Sequence, residues 1–133
     1  MAELPFAKVK GPDGREVYLM DEVLRQKKEI TIRWGRAALA YKVGTRLLAC
    51  GKTNATTTRR VVVQIERVLG PVGLRDIDAN RDLREEVLKG EGLANTDEWL
   101  LLKSWIAGWR RGDVDTQADF YVLWFGTAPE SVI

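Results

Sequence analysis

The chain has 133 residues, 45% of them hydrophobic and 30% charged, with a formal net charge of +2. That is enough for one compact domain with a real core, and the balance is globular rather than disordered. Histidine is absent and Cys50 is the sole cysteine, which excludes a Ser-His-Asp triad, an imidazole base, a His-ligated metal, an intramolecular disulfide and a zinc cluster of cysteines.

No apolar run approaches bilayer length. The N-terminal Met1-Ala2-Glu3-Leu4-Pro5-Phe6 has neither the basic region nor the apolar stretch of a secretory signal. The expectation is a cytoplasmic protein of one domain over residues 1–133, with no membrane partner, cofactor or metal site. Any catalysis must then use Lys, Asp, Glu, Thr, Ser or Tyr, or an oxygen-ligated metal.

Taken in order, Leu4 to Val9 reads as a short strand or an irregular arm, and Gly11-Pro12-Asp13-Gly14 as a turn. Val17 to Lys27 reads as a helix, with Val17, Met20, Val23 and Leu24 on one face. Acids early and bases late suit its dipole. The stretch Lys27 to Trp34 then alternates: Ile30, Ile32 and Trp34 share one strand face, and Glu29, Thr31 and Arg33 the other.

Gly35 to Lys42 is a helical turn or loop, Thr45 to Cys50 a buried strand, and Gly51 to Thr58 a hairpin loop. Cys50 follows Leu47-Leu48-Ala49 and is expected to be buried structurally rather than used as a nucleophile. Arg59 to Val68 has strand character and is expected to end at Gly70-Pro71. Asp78 to Lys89 reads as a helix capped by Asp78 and broken by Gly90-Glu91-Gly92. A further helix opens at Thr96, carries the stripe Trp99, Leu102, Trp105, Ile106 and Trp109, and closes at Arg110-Arg111-Gly112. Asp119 to Phe125 reads as an inner strand buried on both faces. The connections are too short for a doubly wound parallel sheet. Antiparallel pairing with helices at one side predicts an α+β fold with a small barrel-like sheet.

Three motifs, spanning roughly residues 17–125, carry a resemblance. They are Lys28-Glu29-Ile30-Thr31-Ile32-Arg33, then Tyr41-Lys42-Val43-Gly44 before a strand, then Glu91-Gly92-Leu93 with Trp99 and the closing Phe120-Tyr121-Val122-Leu123-Trp124-Phe125. In order and spacing the sequence resembles the ASCH domain, a branch of the PUA-like superfamily. Three departures stand out. Gln26 replaces a common glycine two residues before the motif lysine, Thr45 replaces the usual aspartate, and the segments 34–40 and 51–58 are longer than in minimal members.

The resemblance implies a PUA-type small β-barrel of mostly antiparallel strands with flanking helices. It also implies a cleft beside the motif strand and a nucleoside or RNA partner. One small bacterial group within the family is an amidohydrolase acting on N4-acetylcytidine through a lysine, a threonine and a glutamate. Lys28, Thr31 and Glu91 match those positions.

Residue chemistry leaves several roles open. Thr31 could attack if Lys28 or Glu91 takes its proton. A lysine base needs a pKa far below its usual 10.4 or so, whereas a nearby carboxylate would hold it charged. The converse assigns Glu91 as proton acceptor and Lys28 as oxyanion stabiliser. Lys28 and Thr31, three residues apart, face opposite sides of a regular strand. They share a cleft only if Lys28 lies in the turn before it.

Arg33 suits a phosphate or base contact, or alternatively a salt bridge to Glu29 or to a neighbouring strand. Trp34 and Tyr41 are candidate pocket walls, and Arg59, Arg60, Arg110 and Arg111 candidate phosphate contacts. Each also has an ordinary reading: a helix-end lysine, a strand threonine, a helix-terminal acid, solvated basic pairs and core tryptophans. Three functional expectations follow. They are a nucleoside site that hydrolyses an N4-acyl amide, a non-catalytic reader of single-stranded RNA, and a protein-interaction module using the Trp-rich helix.

Overall fold

The computed structural model describes residues 1–93 and 98–128. In chain order its elements are β1 (Glu3–Pro5), β2 (Lys8–Lys10), β3 (Glu16–Tyr18), α1 (Leu19–Leu24), β4 (Ile30–Trp34), α2 (Gly35–Ala38), β5 (Arg46–Lys52), β6 (Thr58–Val72), α3 (Leu74–Ala79), α4 (Arg81–Gly90), α5 (Trp99–Trp109) and β7 (Phe120–Thr127). This is the expected α+β class. Five strands form one mixed sheet in the order β1-β5-β6-β7-β4, and β2 pairs separately with β3. The contact of β1 with β5 is parallel, and the others in the large sheet are antiparallel.

The sheet curls into half of the expected small barrel and does not close. β1 and β4 remain its two edges. Pro5 has no N–H to offer across the gap, and the Arg33 guanidinium occupies it, donating to the Pro5 carbonyl at 2.7 Å. The result is a seam bridged by a side chain rather than by a strand ladder.

Alternation explains the two cores. Ile30 and Ile32 face a helical layer with Leu88, Trp99, Leu102 and Ile106. Leu4, Phe6, Met20, Leu47, Val63 and Phe125 fill the inside of the curl. The inner strand read from Asp119 to Phe125 is β7, flanked by β6 and β4, with Phe120, Val122, Leu123 and Phe125 all buried.

Some local expectations change. Glu16–Tyr18 is a strand rather than the first turn of a helix. The turn at residues 11–14 folds it back on Lys8–Lys10, and β-branched or aromatic Val17 and Tyr18 favour that pairing. The helix read over Asp78 to Lys89 is two helices. Asn80 caps the second, its Oδ1 accepting from Leu83 N–H at 3.1 Å, while Asp78 is bonded to Arg84 at 2.9 Å. β6 runs on through Gly70-Pro71 to Val72 because a shift of register between Leu69 and Val72 takes the proline out of the ladder. Cys50 is half-buried, and burial raises its thiol pKa. The expected start of the last helix at Thr96 lies outside the described residues. No helix among the described residues is long and apolar enough to cross a membrane.

The end of α4 is pressed against β4. Glu29 N–H donates to the Gly90 carbonyl at 2.6 Å, and a Cβ on Gly90 would meet the Ile30 side chain at 2.3 Å. Alanine ordinarily stabilises a helical position by about 1 kcal/mol over glycine. Overpacking should reverse that sign here, so Gly90→Ala should lose about 1–3 kcal/mol in urea denaturation. A raised midpoint would contradict this close approach.

Candidate active site

Two helix ends deliver the central pair of side chains. At the end of α1, Gln26 adopts the left-handed conformation with φ 59°. Gln26 N–H bonds to Val23 O at 3.0 Å and Lys27 N–H to Glu22 O at 2.9 Å, the two bonds of a Schellman motif. Glutamine thus fills the place where glycine is common in the family that the sequence resembles. The turn releases Lys28 before the strand begins, so Lys28 escapes strand alternation and points to the same side as Thr31.

At the end of α4 the motif repeats. Gly92 has φ 82°, Gly92 N–H bonds to Lys89 O at 3.1 Å and Leu93 N–H to Leu88 O at 2.9 Å. Glu91 is the capping residue, and its carboxylate lies at the negative end of the α4 dipole, an unfavourable place for an anion. The Lys28 ammonium offsets this by bonding directly to Glu91 Oε2. Lys28 also donates to the Ile30 carbonyl at 3.0 Å. Lys28 is 2% exposed, Thr31 4% and Glu91 5%; they are the buried polar or charged side chains of the described structure. Burial pulls the Lys28 pKa below its ordinary 10.5, Glu91 opposing the shift. The opposed effects expected from sequence are both present, and desolvation is the larger.

Thr31 Oγ1 accepts from Arg33 Nε at 3.1 Å. Among the described residues it has no hydrogen bond to Lys28 or Glu91. Arg33 is not paired with Glu29, which is exposed ahead of the strand. Instead its guanidinium bridges Thr31 and Pro5 and lies 5.0 Å from the centre of the Phe6 ring. Lys28 Nζ lies 5.8 Å from the same ring. Burial lowers the Arg33 pKa as well, from a starting point so high that the group stays charged.

These groups border one cavity of about 330 Å³, within the usual size of small-molecule sites. Lys28, Thr31, Arg33 and Glu91 give its polar wall, and Phe6, Trp34 and Trp109 its aromatic surfaces. Trp109 is 45% exposed at the rim. Phe6 is a pocket residue with no signal in the sequence, whereas Trp109 stands out there only as part of the Trp-rich helix. The stripe of Trp109 with Leu102 and Ile106 on α5 is what brings it to the cavity.

Other candidates go elsewhere. Tyr41 lines a separate surface cavity with Leu39, Val43 and Tyr121. Arg59 and Arg60 are exposed on β6 opposite Gly51 and Cys50. Arg110 is held by Asp119 through bonds of 2.5 and 2.8 Å and packs on Phe120 and Trp34. Arg111 is exposed. Trp99 is buried, Trp105 donates to Lys10 O at 3.0 Å, and Trp124 donates to Glu86 at 3.0 Å.

No family model matches the chain, and no curated protein matches it. Two solved structures are similar. The hypothetical protein PH0355 superposes with a TM-score of 0.54 over 82% of this chain and 90% of its own, at 9% identity. Protein EF3133 from Enterococcus faecalis V583, of the family model DUF984, superposes with a TM-score of 0.57 over 96% of this chain and 77% of its own, at 13% identity. The fold is shared. At such identities the likeness extends to architecture alone.

A buried ion pair is held by mutual compensation, so removing one partner strands the other. Glu91→Leu or Lys28→Met alone should each cost about 3–5 kcal/mol, whereas the double substitution should recover most of that loss. Urea unfolding of the three variants checks this. A double variant as unstable as the sum of the singles would contradict it.

Proposed function

We propose that the chain is an ASCH-type domain of PUA-like fold whose seam cavity binds a nucleoside and hydrolyses the amide of an N4-acylated cytidine. The convergence of Lys28 and Thr31 with Glu91, sixty residues further along the chain, on one aromatic-walled cavity carries this reading. An open-edged α+β sheet is compatible with a PUA-like fold. Flat aromatic surfaces suit a heterocycle, and the cations of the polar wall suit the charge that develops on an amide oxygen.

In the proposed reaction Thr31 Oγ, or a water lodged against it, adds to the amide carbonyl. Arg33 donates to Thr31 Oγ1 and so leaves the hydroxyl proton free to depart. Glu91 receives that proton directly or through one water. The Lys28 ammonium, fixed by Glu91 and the Ile30 carbonyl, uses its remaining hydrogen to stabilise the oxyanion. Collapse breaks the C–N bond, and the proton passes to the departing N4 amine. Attack by water gives cytidine and the carboxylic acid at once. Attack by Thr31 gives an ester that a second water hydrolyses.

Incubation with N4-acetylcytidine should release cytidine, read by chromatography. Thr31→Ala should reduce kcat/KM by about 10²-fold or more. Lys28 acts as a cation here and its pKa is lowered, so activity should fall as pH rises through an ionisation below 10.5. A rate that instead climbs through that ionisation would make neutral Lys28 the base. No cytidine release at high protein concentration would sink the reaction, and so would a Thr31→Ala variant as active as the parent.

A further inference from the structure

The cavity is bordered by residues from both faces of β4: Thr31 and Arg33 from one, Ile32 and Trp34 from the other. Side chains of opposite faces can border one space only along the strand's free edge. The backbone groups on that edge follow from the ladder. Phe125 N–H donates to Glu29 O at 3.0 Å, and the register sets Thr31 opposite Leu123 and Arg33 opposite Tyr121. Bonded pairs alternate in an antiparallel ladder. The carbonyl of 29 and the main-chain groups of 31 and 33 therefore carry the β7 side, and those of 30 and 32 face the seam. The bond from Lys28 Nζ to the Ile30 carbonyl is an independent sign of the same orientation.

Most of this edge is already covered. Lys28 takes the Ile30 carbonyl, and Trp34 leads directly into α2. On the facing edge, Pro5 has no N–H and its carbonyl is taken by Arg33. Ile32 remains. Among the described residues, its N–H and C=O have no partner. One residue's donor and acceptor, side by side, are too little for the addition of a peptide strand, which uses a run of such groups. They do match the edge of a flat heterocycle entering between aromatic walls.

We infer that the main chain of Ile32 reads the base, its N–H donating to N3 of a cytosine ring and its C=O accepting from N4–H. This rests on the nucleoside reading proposed above and deepens it. Cytosine presents an acceptor beside a donor, and an N4-acyl cytosine keeps one N4–H. Uracil held in the same pose presents the reverse, N3–H beside O4, and would set donor against donor and acceptor against acceptor; its matching O2 and N3–H pair is reached only by sliding the ring along the strand, away from Lys28 and Thr31. An N–H and C=O left unpaired opposite the wrong edge carry the full desolvation cost. The site thereby selects cytosine over uracil with no base-reading side chain.

The test uses the full chain with four nucleosides: cytidine, uridine, 3-deazacytidine, which lacks the N3 acceptor, and N4,N4-dimethylcytidine, which lacks the N4 donor. Calorimetry should show cytidine binding about tenfold or more tighter than each of the other three. Amide exchange by NMR adds a reading independent of affinity. Ile32 N–H should exchange faster than those of Thr31 and Arg33 in the free protein, and slow when cytidine is bound. If cytidine binds but 3-deazacytidine and uridine bind as well, the edge reading is overturned and the nucleoside site stands. An Ile32 amide as protected as its neighbours in the free protein overturns it also. If none of the nucleosides binds, both readings fall.

Discussion

The pairing of Lys28 with Glu91 is the constraint around which the rest of this structure is arranged. Two charges nearly free of solvent can persist only if each satisfies the other. To meet, they need two helices to end within reach of one strand. The chain achieves this with the same device twice, a left-handed residue that stops the helix and turns the next residues inward. β4 then runs beside the pair, so that Thr31 and Arg33 fall into the same space. The helical core on one side and the filled curl on the other hold these pieces at fixed separations.

The seam follows from a second constraint. A sheet of this curvature brings its edges near each other, and a strand ladder would close it. Pro5 cannot contribute a donor, and Arg33 projects from β4 into the gap. Polar and aromatic side chains thus share a space that would otherwise be packed backbone. The Phe6 ring, with two cations against it, forms the floor, and Leu102, Ile106 and Trp109 of α5 supply the outer wall.

The sequence made some of this legible and hid the rest for physical reasons. Strict alternation in β4 and the apolar density of β7 were readable because one or both faces of each are buried. The cleft set was partly readable, because the motif containing Lys28 and Thr31 and the glycine-flanked Glu91 carry local signals. The aim of Lys28 was not readable, since Gln26 adopts a conformation more usual for glycine and only the turn's bonds reveal it. Periodicity over Val17 and Tyr18 suggested a helix, whereas hairpin pairing with Val9, a contact several residues away, decided for a strand. Asp78 and Asn80 are both acceptable caps, and the salt bridge to Arg84 withdraws the first. Tyr41 looked like a pocket wall by its motif, but the pairing of β5 with β6 carries its segment to a different cavity. Phe6 gave no local sign of its role, because its place depends on the curl of the whole sheet.

A seam open to a ligand is also open to other chains. An unpaired strand edge is a template on which a second molecule can build, and long exposed edges lead to aggregation. In this chain the two edges that flank the opening are short, and one of them ends in proline. The arginine that spans the gap adds a fixed positive charge where an incoming strand would have to lie. The features that keep the cavity accessible to a small molecule are therefore also those that keep one copy of the protein from adding its sheet to another.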